Sequence, residues 1–256
     1  MPPALHPIAG LGFGAEAEAY ERGRPSWAPE AVAVLGSELG LGPGRRVADV
    51  AAGTGKLTRL LVPSGASVVA VEPVREMAAT LRRAVPGVPA ARGVAERLPL
   101  RDRSVDAVVV AEAFHWFDAP VALAEVHRVL RPGGGLALLW NQAGAEPAPW
   151  QLELGALLAR IRDPDLPFPG GHSTRPWDQE VGAAGGFTPV THRTFPHEQV
   201  ASRDEVLAGA LSTSWIAVRP ADERQRFADD VRALLAGHGS PLVVPWRTEV
   251  HWCHRA

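Results

Sequence analysis

The chain has 256 residues and a formal net charge of −2, which excludes the strongly basic surface that binding to nucleic acid requires. Its only cysteine, Cys253, excludes an internal disulfide and favours a reducing compartment. The N-terminus lacks the basic and apolar regions of a signal peptide, and no stretch approaches the roughly 20 apolar residues of a membrane span. We therefore expect a cytoplasmic protein without a membrane partner.

Two helices are predicted before the first strand. Residues 15–23 have a short helical pattern that is closed by Gly23 and Pro25. Residues 28–39 place apolar side chains at helical spacing, with Pro29 in the first turn. We expect the first of these helices to cap the domain.

Short apolar runs then alternate with helical segments. Each run is continuous in Val, Leu and Ala, which is typical of strands buried on both faces of a parallel sheet. These predicted strands are Arg45–Ala52, Ser67–Pro73, Val105–Ala113 and Gly135–Asn141, with a weaker one at Val88–Ala95. Helices are predicted at 56–62, 76–85 and 119–134, the last ending at Gly133 and Gly134. The alternation predicts βαβ units in a Rossmann-like α/β fold with helices on both faces.

The pattern changes after Asn141. The predicted elements are a helix at 149–161, a loop rich in Pro and Gly at 162–176, a strand at 187–195, helices at 202–215 and 221–237, and an alternating strand near a sheet edge at 242–255. We therefore predict one domain, 1–256, with a mostly parallel seven-stranded sheet. A cofactor-binding core would span about 25–142, and a sheet-completing part with a helical substrate cover about 143–256.

The first strand runs into a glycine turn, Gly53-Thr-Gly55, before a helix. Such a turn lets the backbone approach a ligand closely at the positive end of the helix. A phosphate-binding P-loop would need Gly at position 50 and Ser or Thr at position 57, where the chain has Val and Leu. A nicotinamide dinucleotide site would favour Gly or Ala in place of Thr58. S-adenosylmethionine, the remaining candidate, needs an acidic contact and no phosphate site.

Glu72 supplies that acidic contact. It ends the second predicted strand, about twenty residues after the turn, where a carboxylate can accept both hydroxyls of a ribose. The glycine turn and Glu72 together therefore favour a ligand with a nucleoside.

Four segments resemble successive motifs of class I S-adenosylmethionine-dependent methyltransferases of the type 11-like group. They are 47–61, 68–73, 93–118 and 127–141. The similarity is greatest to the small-molecule branch that includes trans-aconitate methyltransferase-like proteins, and it runs from about Tyr20 to Asn141. It implies S-adenosyl-L-methionine as cofactor and transfer to oxygen, nitrogen or a carboxylate of a small molecule. The alternatives are a protein of the same fold that binds the cofactor without methyl transfer and, less favoured, an NAD-dependent oxidoreductase. The acceptor and the oligomeric state stay open.

The resemblance also implies which residues bind the cofactor. Arg24 would contact the methionine carboxylate, Glu72 the ribose, and Pro73 and Met77 the adenine, whereas Lys56 is interpreted as a loop or surface contact. The full set is Tyr20, Arg24, Asp49, Ala51, Gly53, Gly55, Glu72, Pro73, Met77, Ala95, Glu96, Glu112 and Ala113.

His115 and Trp116 follow the fourth predicted strand, at the sheet edge where ligands of open α/β sheets bind. Both are candidate substrate-binding residues. His115 is also the candidate catalytic base, with a wall of the cofactor site as its alternative role. No metal site is expected, because His251 and His254 are three residues apart in a strand and would point to opposite faces.

Overall fold

The computed structural model describes residues 16–162 and 176–256, so most of the predicted loop at 162–176 lies outside the described residues. The helices are α1 (Ala17–Gly23), α2 (Pro29–Glu38), α3 (Thr58–Leu61), α4 (Arg75–Ala84), α5 (Ala119–Val129), α6 (Pro149–Ile161), α7 (Trp177–Ala184), α8 (Arg203–Leu211), α9 (Ser214–Ala217) and α10 (Ala221–Ala236). The strands are β1 (Arg46–Val50), β2 (Ser67–Val71), β3 (Ala90–Ala91), β4 (Val105–Ala111), β5 (Leu130–Ala143), β6 (Thr191–Ala201) and β7 (Leu242–His254). Each of these helices is too short or too polar to cross a bilayer.

The strands form one seven-stranded sheet in the order β3-β2-β1-β4-β5-β7-β6. Strands β1 to β5 pair in parallel, whereas β7 pairs antiparallel with both β5 and β6. The predicted mostly parallel Rossmann-like sheet is therefore confirmed. The last strand, β7, lies beside the edge strand β6.

Apolar side chains alternate between the two faces of the central strands, and this places a core on each face. On β4, Val108 and Val110 pack in the core that α5 and α7 cover. Ala107 and Val109 pack on the opposite face in the core that α2 covers. A third apolar cluster joins α6, α8 and α10 to the ends of β6 and β7, with Trp150 and Phe227 buried in it.

The predicted helix at 119–134 is wrong at its end, because α5 stops at Val129 and β5 begins at Leu130. Leu130 pairs with Val105 of β4, followed by a register irregularity before the regular ladder. Pro132 has no N–H for a helix, and Gly133 has a φ of 72°. The chain therefore leaves the helix earlier than the two glycines suggest.

Other boundaries also differ from the sequence expectations. The predicted strand at 187–195 starts later and runs further, as β6. The predicted helix at 202–215 is divided into α8 and α9, with Ser202 capping α8 through a reciprocal pair with Glu205. Helix α7 was not predicted, because it follows directly after a segment rich in Pro and Gly.

Helices α1 and α8 meet at two glycines. A Cβ atom added to Gly23 would lie 1.9 Å from the backbone nitrogen of Gly209. One added to Gly209 would lie 2.8 Å from the carbonyl oxygen of Gly23. The two helices can therefore touch only because neither position carries a side chain, and this contact fixes where α1 sits over the sheet.

Gly23→Ala should lower the free energy of unfolding by about 1–3 kcal/mol, since the added methyl must push α1 away from α8. Gly36→Ala is the matched control, because it lies in α2 and its added Cβ meets nothing within 4 Å. It should be neutral or stabilising by up to about 1 kcal/mol through helix propensity. Chemical denaturation measures both values, and equal stability of Gly23→Ala and the wild type would contradict this close packing.

Candidate active site

A cleft lies at the carboxyl ends of β1, β2 and β4, and it consists of two connected cavities. The first cavity encloses roughly 730 Å³ of empty space, including solvent at its mouth. The predicted site residues that line it at the strand ends are Ala51, Gly53, Glu72, Pro73, Glu112 and Ala113. Those that line it from other segments are Tyr20, Met77, Ala95, Glu96 and Trp116. The structure thus brings together most of the set that the sequence indicated.

The turn after β1 forms the floor between the two cavities. Ala51 and Gly53 both have positive φ values, 54° and 58°. A Cβ on Gly53 would meet nothing within 4 Å, so space for a ligand is open above it. The backbone N–H of Gly53 donates to Glu72 Oε2 at 2.8 Å. The turn is therefore clamped to the end of β2.

Glu72 is buried at the bottom of the first cavity, with 4% of its surface exposed. Its Oε1 accepts a second backbone hydrogen bond, from the N–H of Val74, at 2.8 Å. Burial raises the pKa of Glu72 to about 7, although the two backbone hydrogen bonds oppose the shift. Each carboxylate oxygen has a further lone pair that can accept a hydroxyl from a ligand.

Gly55 lies outside the lining of both cavities. Its φ is 86°, and an added Cβ would lie 3.0 Å from Cγ of Leu81 on α4. The structure therefore explains this glycine by its backbone conformation and by packing against α4. It does not bring Gly55 to the cleft as the sequence interpretation expected.

The second cavity adjoins the first through Tyr20, Gly53 and Glu112. Its lining adds the predicted residues Arg24 and Asp49. The Arg24 guanidinium lies 5.5 Å from the centre of the Tyr20 ring, and burial raises the pKa of Tyr20 to about 12. Tyr20 lies on α1 and Arg24 directly follows it, so this helix closes this part of the cleft.

Three buried polar atoms in the wall of the second cavity have no hydrogen-bond partner among the described residues. They are Oδ1 of Asp49, Oγ1 of Thr54 and Nε1 of Trp27. The other oxygen of Asp49 accepts a hydrogen bond of 2.6 Å from the Thr58 hydroxyl. Burial raises the pKa of Asp49 to about 7. Because buried polar atoms are rarely left unpaired, this wall fits a ligand that carries a hydrogen-bond donor, such as an ammonium group.

Lys56, interpreted from the sequence as a loop or surface contact, lies in the turn before α3 and also lines the second cavity. Removal from water lowers its pKa, and the nearby Glu21 carboxylate opposes this. Arg24 and Lys56 thus bring two cationic side chains to the cavity that also contains Asp49. Cations and a carboxylate in one small chamber fit the zwitterionic end of an amino acid.

Glu112 separates the two cavities at the end of β4, where its φ is 57°. Its Oε1 accepts a hydrogen bond of 2.7 Å from the backbone N–H of Asn141. Burial raises the pKa of Glu112 to about 7, Arg24 opposes the shift and Glu249 adds to it. Three carboxyl groups with raised pKa values therefore surround one cleft.

Known proteins agree with this geometry. A family model described as a methyltransferase domain matches residues 48–138. A relative from Mycobacterium tuberculosis (strain ATCC 25618 / H37Rv), described as an uncharacterized methyltransferase, is 42% identical over 233 residues, which cover 89% of this chain and 87% of the relative. The chain belongs to the class I S-adenosylmethionine-dependent methyltransferases. Its cofactor is S-adenosyl-L-methionine.

Solved structures share the fold of this methyltransferase. A protein of Anaeromyxobacter dehalogenans, assigned as a type II methyltransferase, is 26% identical with a TM-score of 0.63, and the match covers 91% of this chain and 97% of that chain. A geranyl diphosphate C-methyltransferase from Streptomyces coelicolor A3(2), solved with S-adenosyl-L-homocysteine, is 16% identical with a TM-score of 0.50. That match covers 89% of this chain and 76% of that chain, and it shows a common fold.

His115 and Trp116 occupy a short 3-10 turn after β4 of the methyltransferase. Trp116 lines the first cavity, whereas His115 is absent from the described linings of both cavities. The two rings lie side by side, with centroids 5.2 Å apart. The structure thus places Trp116 in the lining of the cleft and the His115 ring next to the Trp116 ring.

Several residues of the cleft were missed by the sequence interpretation. Phe117 lines the first cavity, and Asn141 and Trp246 line the second. Asn141 could have been found, because it ends a predicted strand at the carboxyl edge of the sheet. Trp246 could not, because its position depends on the register of the antiparallel pair β5 and β7.

A group of possible metal ligands lies elsewhere on the sheet of this methyltransferase. His192 on β6 faces His251 on β7, and with Glu249 their ligand atoms lie within 4.8 Å of one another. The spacing of His251 and His254 along β7 does not reveal this group, because His192 lies on the neighbouring strand. The imidazole rings of His192 and His251 are stacked at 4.2 Å.

The raised pKa of Glu112 makes the stability of the cofactor-free methyltransferase depend on pH. The folded state holds this proton up to pH about 7, whereas the unfolded chain loses it near the ordinary glutamate pKa of 4.5. The stabilisation is therefore complete below pH 4.5 and is lost as the pH rises through about 7. Glu112→Gln should accordingly lose less free energy of unfolding between pH 5 and 8 than the wild type does.

Denaturant unfolding at several pH values measures this difference. Glu153→Gln is the matched control, because Glu153 is exposed on α6 and lies outside the linings of the cleft. Its stability profile should parallel that of the wild type. A Glu112→Gln profile that also runs parallel to the wild type would contradict the raised pKa.

Proposed function

We propose that this methyltransferase transfers a methyl group to oxygen, nitrogen or a carboxylate of a small-molecule acceptor, with the adenosine of the cofactor in the first cavity and its methionine in the second. The observation that carries the proposal is the unpaired Oδ1 of Asp49 in the cavity that Arg24 and Lys56 also line. The S. coelicolor neighbour, which acts on geranyl diphosphate, supports a small molecule as the acceptor.

The residues of the first cavity suit an adenosine. Glu72 would accept the ribose hydroxyls, and Pro73 and Met77 would flank the adenine with apolar surface. Ala95 and Glu96 lie at the far wall, where Glu96 Oε1 already accepts the N–H of Asp118 at 3.0 Å. That bond ties the adenine side of the cavity to the loop that carries Trp116.

The residues of the second cavity suit a methionine end. Arg24 and Lys56 would bind its carboxylate, and Asp49 Oδ1 would accept from its ammonium group. When bound, the cofactor supplies an electrophilic methyl group on a positively charged sulfur. The Glu112 carboxyl and the Trp116 ring, which both line the cleft, are suited to a neighbouring cation.

The chain contributes mainly alignment and the exclusion of water. Tyr20 and Arg24 close the cleft from above, and Gly53 and Glu112 support it from below. Holding donor and acceptor in line can contribute about 7–11 kcal/mol to lowering the barrier. A carboxylate acceptor is already ionised and needs no base, whereas a hydroxyl or amine must lose a proton.

The two alternatives make different demands. A dinucleotide site favours Gly or Ala at position 58, where the Thr58 side chain is instead buried and bonded to Asp49. Beside the adenosine cavity, the protein also offers a site that suits an amino acid. A dinucleotide would instead need room there for its second nucleotide. A protein that only binds the cofactor would share the whole cleft, so turnover separates that alternative.

A hydrogen bond to a charged group contributes about 1.5–3 kcal/mol. Glu72→Ala should therefore weaken binding of S-adenosyl-L-homocysteine by about 10- to 150-fold. Calorimetry measures the affinity. NAD is the control ligand, and it should not bind the wild type measurably. Unchanged affinity in Glu72→Ala would remove the ribose assignment, and preferential binding of NAD would defeat the proposed cofactor site.

His115→Ala tests the mechanism. We propose that His115 positions Trp116, so the variant should lose two- to tenfold in cofactor affinity, about the value of an aromatic pair. Its pH–rate profile should keep the wild-type shape. The assay is methyl transfer to a panel of carboxylates, phenols and amines. A rate loss of about 10²–10⁴ at normal cofactor affinity would instead identify His115 as a general base.

A further inference from the structure

A third cavity opens beside the methionine end of the cleft. It shares Arg24, Pro25 and Trp246 with the second cavity. It encloses roughly 1050 Å³ of empty space, including solvent at its mouth. We infer that it binds the apolar body of the methyl acceptor, an alkyl chain or fused ring whose polar head points past Trp246 toward the bound cofactor; this rests on the proposed function.

The walls of the third cavity are apolar. Helices α6 and α8 of the cover face each other across it and contribute Leu154, Leu158, Val206 and Ala210. Arg24 is the only ionisable residue among the described residues that line it. Apolar walls with few polar groups are typical of sites that bind drug-sized apolar molecules.

Four polar side chains in the lining, those of Arg24, Gln151, Gln199 and Trp246, already make hydrogen bonds within the protein. Gln199 donates through Nε2 to the carbonyl of Gly23 at 3.4 Å and accepts from the Trp246 indole at 3.1 Å. Gln151 Oε1 accepts the N–H of Ala148 at 2.7 Å. Arg24 Nε donates to the Ser212 hydroxyl at 3.1 Å. Arg24, the one cation of the described lining, is assigned to the methionine carboxylate, so a small polyanion would lose its hydration here with little in return. An apolar group would lose no such hydration.

The mouth of the cavity extends this apolar surface. Leu152 on α6 lines it and is 63% exposed, which is unusual for a leucine of that helix. Gly155, one turn further along α6, also lines the cavity, and an added Cβ there would meet nothing within 4 Å. A side chain at position 155 would thus enter open space without a clash with the protein.

The Trp246 side chain lies between the second and third cavities. Its indole is held by Gln199, and its side chain belongs to the linings of both the second and the third cavity. An acceptor that fills the third cavity must pass this ring to bring its head to the methyl group. The apolar body therefore lies in the cover and the reacting head lies in the core.

Calorimetry on the wild type loaded with S-adenosyl-L-homocysteine tests the binding of the apolar body. Decanoate should bind at least fiftyfold more tightly than butanoate, because each buried methylene contributes about a fourfold gain. The tricarboxylate trans-aconitate should bind no more tightly than butanoate. Equal affinity for the two linear acids, or stronger binding of trans-aconitate, would overturn the inference.

Gly155→Leu tests the location. It should reduce the affinity for decanoate at least tenfold and leave the affinity for S-adenosyl-L-homocysteine unchanged. Gly36→Leu is the matched control, because it is also a helical glycine whose added Cβ meets nothing within 4 Å, and it lies outside the cavity. Undiminished binding of decanoate to Gly155→Leu would place the alkyl chain elsewhere.

Methyl transfer then separates this inference from the proposed function. Decanoate, decylamine and 4-decylphenol are compared with their butyl counterparts, with formation of S-adenosyl-L-homocysteine as the readout. Of whichever pair reacts, the decyl compound should be methylated faster than the butyl compound. The rate of methylation of the decyl compound should be lower in Gly155→Leu than in the wild type. If the decyl compounds bind but none of their carboxylate, amine or phenol groups is methylated, the acceptor assignment is overturned. Equal rates of methyl transfer to the decyl and butyl compounds would also overturn it. Failure of the wild type to bind S-adenosylmethionine would instead defeat the proposed function, and decanoate binding would then be measured on the cofactor-free protein.

Discussion

The hydrogen bond from the backbone N–H of Gly53 to the Glu72 carboxylate organises the cleft. It joins the turn after β1 to the end of β2, and the same carboxylate also holds the N–H of Val74 before α4. One buried side chain thus holds the turn after β1 and the segment after β2 together at one edge of the sheet. The first cavity has its shape because Glu72 is both a structural acceptor and a lining group.

The cleft also contains ionisable side chains whose charged forms are disfavoured by burial. Asp49, Glu72 and Glu112 are carboxyl groups whose burial raises their pKa values, and Lys56 shows the opposite shift for the same reason. In the free protein each charge is poorly solvated. A ligand that brings an ammonium group, a carboxylate and a cationic centre would compensate them together, so the cleft is complementary in charge as well as in shape.

The central part of the fold was predictable because it depends on local pattern. Continuous apolar runs identified β1, β2 and β4, and the residues at their carboxyl ends include Asp49, Glu72 and Glu112. Boundaries that depend on pairing were not predictable: Leu130 joins β5 only because Val105 lies opposite. That Lys56 lines the second cavity was not predictable, because the sequence does not show which side chains the fold brings together. The third cavity was also beyond the sequence, since α6 and α8 approach each other only in the folded chain.

The contact between Gly23 and Gly209 links these parts of the molecule. It joins α1, which carries Tyr20 to the cofactor cleft, to α8, which forms a wall of the third cavity. Arg24 adds a second connection through Ser212, just beyond α8. A shift of either helix therefore displaces the other, so opening one chamber disturbs the next. Under the proposed assignment, release of the methylated product and release of S-adenosyl-L-homocysteine would be coupled through the contact between α1 and α8.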